Sequence, residues 1–371
     1  MPPVTVNIDR FDAGAASEPE CMALHAFTSR MRAELMPDDP PTPLAEAIAA
    51  WRHLQSLGNT TVWVARQPDE PAIVARGQVS HLYPIAAENQ HVVRASIQVL
   101  PEHRRQGVAR ALLAPIAHAM RDQERRLLIT ETSGRAPAGA SFMERLGGER
   151  GLETRTYQLD IASLNQERVR EWQARAVERA ADFELGFWDG PFAEADLAAI
   201  ADLNGVMNTQ PLGSLAIQHH RMTPEQLRQI ESALLARGTQ RWTMYVRERA
   251  TGRLAGFTEV FWKPSAPALM AQGNTGVFPE HRGRGLGRWL KAAMLDKVLR
   301  ERPQVRRVRT GNADSNAAML EINRELGFEP RTSQIVWQLK IEKLEDYLRS
   351  RDPSPAPSRE RSVKPAHRGS A

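Results

Sequence analysis

One cysteine, Cys21, stands in a chain of 371 residues. A single thiol excludes an internal disulfide, and no metal-ligand spacing can be built from it. Cys21 reads as a small apolar side chain near a helix. Tyrosine is scarce too: Tyr83, Tyr157, Tyr245 and Tyr347 are all there are. No run of about 18 apolar residues occurs, which excludes a membrane-spanning helix. The opening MPPVTVNIDRFDAG lacks the basic start and apolar run of a signal peptide, so the expected location is the cytoplasm. Clustered charge is missing as well. The formal net charge is +5, and the segment from Arg351 onward carries +3 of it. A phosphate-tracking face needs charge gathered on a folded surface, so no nucleic-acid partner is expected. His219 and His220 have no third ligand placed nearby, and no metal is expected.

What is present is a repeat. PEHRRQGVAR starts at Pro101 and PEHRGRGLGR at Pro279, with an offset of 178 residues. A second echo follows, ERLGGE from Glu144 and RELGFE from Arg324, where Leu146-Gly147 and Leu326-Gly327 lie 180 apart. Two blocks in order at nearly one offset indicate duplication of a whole domain. The length suits two domains, and 42% hydrophobic with 25% charged residues suits soluble globular ones. Each copy reads as a strand (Val4–Asp9 or Phe183–Trp188), then helices (the first Pro19–Glu34 or Ala193–Met207), then two strands. A third strand runs into the PEHR block (Val92–Leu100 or Met270–Phe278), and a helix leaves it (Val108–Asp122 or Leu286–Glu301). One more strand, a helix and a strand close each copy. The order predicts an α/β (α+β) fold with a mixed, mostly antiparallel sheet flanked by helices. The expected units are residues 1–160, a connecting helix within 161–182, and residues 183–345. A basic Pro/Ser/Arg tail over 350–371 is too poor in apolar residues to fold.

The block itself has a physical reading. A strand ends at Val277-Phe278 and a helix starts near Leu286, with Arg282, Gly283, Arg284, Gly285 and Gly287 between and beside them. A helix start presents unpaired N–H groups and the positive end of its dipole. Glycines let a ligand approach that backbone closely. Such a turn suits a pyrophosphate. A Rossmann fingerprint would need glycine at Arg288, and a Walker loop would need Gly-Lys-Ser/Thr; neither is present.

R-x-x-G-x-G/A after a strand ending V-x-P resembles the coenzyme-A loop of the GNAT N-acetyltransferase superfamily. Arg282, Gly285 and Gly287 match it in the second copy; Arg104, Gly107 and Ala109 match it in the first. TGNADSNAAMLEINRELGF from Thr310 resembles the superfamily's second cofactor segment. The resemblance implies two GNAT-like acyl-CoA N-acyltransferase domains in a mycothiol-synthase-like tandem. It implies acetyl-CoA as acyl donor, held by Val277, Phe278, Arg282, Gly283, Arg284, Gly285, Leu286 and Gly287, with Asn312 and Asn316 at the polar contacts.

Acyl transfer to an amine needs a base for the ammonium, donors for the thioester carbonyl and a proton for the leaving thiolate. The resemblance places the usual base at Ala271 or Met270, where there is no carboxylate. Glu259 on the preceding strand is the nearest substitute. The usual tyrosine acid falls at Asn323. The expected activity is direct acetyl transfer to a primary amine of a small molecule; the alternatives are an acyl-CoA sensor without turnover and a protein or peptide acetyltransferase. Acceptor, acyl length and oligomeric state stay open. Aligned at offset 180, Asn312, Asn316 and Asn323 become Thr132, Ala136 and Met143, and Phe328 becomes Gly148. Taking Gly77 with Gly256 puts Ser80 at Glu259's place. The first copy is therefore expected to be degenerate and the second catalytic.

Overall fold

The computed structural model describes residues 5–58, 60–81 and 87–350; the expected tail from 351 on lies outside them. The first copy runs β1 (Asn7–Phe11), α1 (Glu18–Leu35), α2 (Leu44–Ser56), β2 (Thr60–Arg66), β3 (Ile73–Ser80), β4 (Val92–Val99), α3 (Val108–Asp122), β5 (Leu127–Ser133), α4 (Ala138–Arg145) and β6 (Glu149–Asp160). Helix α5 (Gln166–Arg179) connects it to the second copy. There the order repeats: β7 (Phe183–Asp189), α6 (Leu197–Asn204), α7 (Pro224–Ala236), β8 (Gln240–Glu248), β9 (Leu254–Trp262), β10 (Leu269–Val277), α8 (Leu286–Glu301), β11 (Arg307–Ala313), α9 (Ala317–Leu326) and β12 (Glu329–Lys340). A last helix, α10 (Ile341–Ser350), packs on α3.

Local chemistry sets the boundaries. Thr223 caps α7, its Oγ1 accepting the Gln226 N–H at 3.3 Å, with Pro224 at the first helical position. The Leu-Gly echo is a helix stop: Gly327 has φ +97° and Gly147 φ +72°, the left-handed turn that glycine adopts at least cost. The leucine before each is buried. The single helix expected over Ala193–Met207 is broken. A short 3-10 turn precedes α6 and another, Gly205–Thr209, follows it; glycine is a poor helix former.

The twelve strands of the described residues form one sheet, in the order β1-β2-β3-β4-β5-β12-β6-β11-β10-β9-β8-β7. The copies therefore exchange their last strands. β6 of the first copy lies against β11 of the second, and β12 of the second lies against β5 of the first. Burial explains the exchange. Leu159 of β6 is fully buried with Met270 and Val308 in the second core; Trp337 and Leu339 of β12 are buried with Ile116 and Met120 in the first. Each such side chain contributes roughly 1.5–3 kcal/mol on burial. A second tie crosses between the copies, where Asp39 takes a bidentate pair from Arg309 at 2.8 Å.

Two features of the sheet position the site. β10 and β11 pair in parallel only over Leu269–Ala271 and Arg307–Arg309, then part. β4 and β5 do the same beyond Val92–Arg94 and Leu127–Ile129. Of the counterpart strands β10 and β4, β10 carries a bulge and β4 does not: Gln272 pairs Val260 and Thr275 pairs Thr258, so Gly273 and Asn274 together oppose Glu259. The ladders correct the expected alignment of Glu259 with Ser80. Val277 pairs Gly256 and Thr275 pairs Thr258, while Val99 pairs Ala75 and Ile97 pairs Gly77. Gly77 therefore holds the place of Thr258, and Gln78 that of Glu259. The glycine of one strand thus stands two places from the glycine of the other, and matching the two glycines shifts the alignment by two.

Candidate active site

The second glycine block forms the expected turn. A 3-10 turn follows β10, Gly283 and Gly285 take φ of +78° and +82°, and Gly285 is the N-cap of α8. Arg282 is tied back by its Nε to the Val277 carbonyl at 3.0 Å, and its Nη2 donates to Thr209 Oγ1 at 2.6 Å. A hydroxyl does not cancel its charge. Arg284 pairs with Asp182 at 2.7 Å. A cleft of about 630 Å³ opens over the turn, bordered by Val277, Arg282 to Gly287, and Asn316. Phe278 is not among the residues bordering it; the ring packs with Leu203, Val206 and Phe257. Asn316 borders the cleft while its Oδ1 caps α9, accepting the Met319 N–H at 3.3 Å.

The cleft runs past Thr275, Asn316 and Met319 into a gap of about 430 Å³ where β10 and β11 part. Asn312 lines this gap. Its Oδ1 accepts from Asn323 Nδ2 at 2.7 Å, and Asn323 Oδ1 in turn accepts from Lys291 Nζ. Lys291 is 1% exposed, and burial pulls its pKa down to about 7. Sequence reading missed this lysine. The signal was available, because the 178 offset sets it against Leu113.

Glu259 lies on the opposite face, beside the bulge. Its Oε1 accepts the Asn274 N–H at 3.3 Å. Burial raises its pKa above the usual carboxylate range, against the pull of Arg241 and of the Asn274 hydrogen bonds. It borders a cavity of about 260 Å³ with Trp188, Phe192 and Phe261 as walls and Thr243 and Arg241 at its base. Gly273 and Asn274 border both this cavity and the gap. The bulge is thus the wall at which two openings meet: one leads from the glycine turn, the other is a cavity with aromatic walls and the Glu259 carboxylate at its border.

The first copy has the same turn with different surroundings. Gly107 is the N-cap of α3 with φ +87°, and Arg104 Nε donates to Val99 at 3.0 Å. Its guanidinium, however, is taken by Glu34 in two hydrogen bonds of 2.7 and 2.5 Å. Ala109 packs against the core beside Val108 and Leu112. Where Gln272, Thr275, Lys291 and Asn323 stand in the second copy, the first has Ala95, Ile97, Leu113 and Met143, all packed into its core. On the other face the corresponding cavity shrinks to about 20 Å³. Arg76 fills it, at the place of Phe257, and its Nη2 donates to the Gln78 amide oxygen. Among the described residues no group of three metal-ligating side chains occurs, and no helix is long and apolar enough to cross a membrane.

Residues 58–147 match the family described as acetyltransferase (GNAT) domain, and residues 214–328 the acetyltransferase (GNAT) family. The chain belongs to the GNAT acetyltransferases and carries two of their domains in tandem. Among solved structures it is similar to a tandem GNAT protein from the clavulanic acid biosynthesis pathway, at 23% identity and a TM-score of 0.71, over 91% of this chain and 99% of that one. A GCN5-related N-acetyltransferase from Sphaerobacter thermophilus matches at 14% identity and TM-score 0.64, over 92% and 97%. A glucosamine N-acetyltransferase region of a fungal multi-domain beta-N-acetylglucosaminidase matches at 13% and 0.62, over 91% of this chain and 38% of that one. At these identities the likeness is one of fold. No curated protein matches the chain significantly.

Proposed function

We propose that the second copy transfers an acetyl group from acetyl-CoA directly to a primary amine of a small molecule. The observation that carries this reading is the continuous opening from the Gly283–Gly287 turn to the bulge at Gly273-Asn274, with Glu259 on its far side. The pyrophosphate would lie on the N-terminus of α8, with Arg282 beside it. The pantetheine arm would follow β10 into the gap. The acceptor's body would occupy the aromatic cavity, which suits a compact apolar amine better than a polypeptide. Glu259, ionised above its raised pKa, would take the proton of the ammonium as the nitrogen attacks. The first copy would support the second: its β6 completes the second sheet, and its counterpart of the aromatic cavity is reduced to about 20 Å³.

A thiol-release assay with acetyl-CoA against a panel of primary amines tests the reading. Turnover with at least one compact aryl- or alkylamine is the expected result. Stoichiometric acetyl-CoA binding with no turnover across the panel would overturn it in favour of a binding protein.

A further inference from the structure

Lys291 is anomalous in its helix. It stands on the inner stripe of α8, 1% exposed, and among the described residues it has no ion-pair partner. Its Nζ reaches Asn323 Oδ1 and approaches Met319 Sδ at 3.8 Å, with the Phe328 ring 5.2 Å away. An ammonium buried without a carboxylate is costly, so such a group calls for a reason.

The duplication supplies a control for packing. Leu113 fills the same helix position in the first copy and is buried in its core, with Met143 at the place of Asn323. The fold therefore requires only hydrocarbon there. The polar set occurs in the copy whose gap is open and is missing from the copy whose gap is filled. A second observation points into the same gap. Gln272 is 5% exposed, and its Oε1 is buried with no hydrogen-bond partner. Its Nε2 is held by Thr258 Oγ1 at 3.0 Å and the Glu259 carbonyl at 2.7 Å, which fixes the side chain.

We propose that Lys291 is the proton donor to the sulfur of coenzyme A as it leaves. The proposal rests on the acetyl-CoA reading above. In the step, the amine nitrogen bonds to the acyl carbon and the C–S bond breaks with its electron pair going to sulfur. The Lys291 ammonium gives its proton to that sulfur and is left neutral; it regains a proton from water. Asn323 and Asn312 hold the Nζ in line. Desolvation places the lysine's pKa at about 7, where it can both give and regain a proton near neutrality. The other side chains facing it from β10, β11 and α9 are amides, hydroxyls and a thioether. Among the described residues, the one other ionisable group bordering the gap is Glu131 of β5, whose own pKa is raised by burial.

The test is an ultraviolet titration of the thiol of bound coenzyme A in the full chain, comparing the parent with Lys291→Met. An ammonium beside the sulfur favours the thiolate, so its absorbance should appear about one pH unit or more lower in the parent. Affinity for acetyl-CoA should be unchanged. With any acceptor found in the amine panel, kcat should fall at least about tenfold and the decline of rate above pH 7 should disappear. Lys291→Leu, which installs the first copy's own residue, provides a second variant if the methionine packs badly. Identical thiol titrations in parent and variants, or a rise in KM with kcat and the alkaline limb intact, would overturn the proposal. Absence of coenzyme A binding in the parent would instead remove the acetyl-CoA reading, and this proposal with it.

Discussion

The two glycine turns share a backbone and differ in what their arginines meet. Arg282 and Arg104 are both tied to the carbonyl of the valine that ends the preceding strand, at 3.0 Å in each case. Arg282 then meets a threonine hydroxyl, whereas Arg104 meets a carboxylate in a bidentate pair. A free cation at a helix N-terminus invites an anion; a cation already neutralised by Glu34 does not, and the carboxylate itself repels phosphate. The same divergence recurs at the other functional positions. Glu259 is matched by Gln78, Lys291 by Leu113, and the 260 Å³ cavity by one of 20 Å³. A duplicated fold thus offers a comparison of packing with chemistry: the first copy keeps the packing, and on the proposed reading it lacks the groups the chemistry needs.

The largest effect expected from this comparison concerns Glu259. Giving it the first copy's residue, Glu259→Gln, should lower kcat about 10²- to 10⁴-fold with little change in acetyl-CoA affinity. The sign of the pH dependence follows from the raised pKa. The base must be ionised, so the parent's rate should fall as pH drops through that pKa, and the variant should lack this acid limb. A variant with the parent's pH–rate profile would show that the carboxylate is not the base.

Next come paired substitutions in the turns. Gly285 has a positive φ, so valine there would strain the backbone by itself. Gly287 is the cleaner site, since an added Cβ meets Ile322 at an ordinary 3.8 Å. Gly287→Val should weaken acetyl-CoA binding about 100-fold, the worth of roughly one strong charge-assisted hydrogen bond. Ala109→Val, its counterpart, should leave binding unchanged in calorimetry. Equal losses would mean that both turns hold the donor.

Stability gives a smaller, opposite effect. Lys291 has a folded pKa of about 7, below its unfolded value of 10.5, so the parent should lose stability as pH falls from about 10, where the unfolded lysine charges, to about 7, and level off below that, where the buried amine is charged too. Lys291→Leu should remove that dependence and raise stability at pH 7 by about 1–4 kcal/mol, seen as a higher Tm. A lower Tm at every pH would mean the lysine is structural. The smallest change is expected from Glu34→Gln. It frees Arg104 at a cost of about 1 kcal/mol, and calorimetry should reveal a weak second coenzyme A event that the parent lacks.

Much of this was legible in the sequence, and what was not has identifiable causes. The repeat, the strands and helices around each PEHR block and the turns at Gly107 and Gly285 follow from local pattern and glycine chemistry. Glu259 came from strand order alone and lies at the wall between the two openings. The exchange of β6 and β12 left no local trace, because it is decided by where Leu159 and Trp337 find a core. The bulge hid in a one-residue change of spacing, and Glu259 was set against Ser80 because Gly77 was taken with Gly256, whose true counterpart is Ala75. Lys291 was passed over because one charge in an apolar stripe resembles a surface position. Glu34 was invisible because it lies 70 residues from the arginine it neutralises.

The central claim is that one copy alone is equipped for the acyl donor. It is tested most directly by titrating the full chain with acetyl-CoA and reading the stoichiometry in the parent, Gly287→Val and Ala109→Val proteins. The account predicts one tight site per chain, removed by Gly287→Val and untouched by Ala109→Val. Two equal sites, or a single site removed by Ala109→Val, would contradict it.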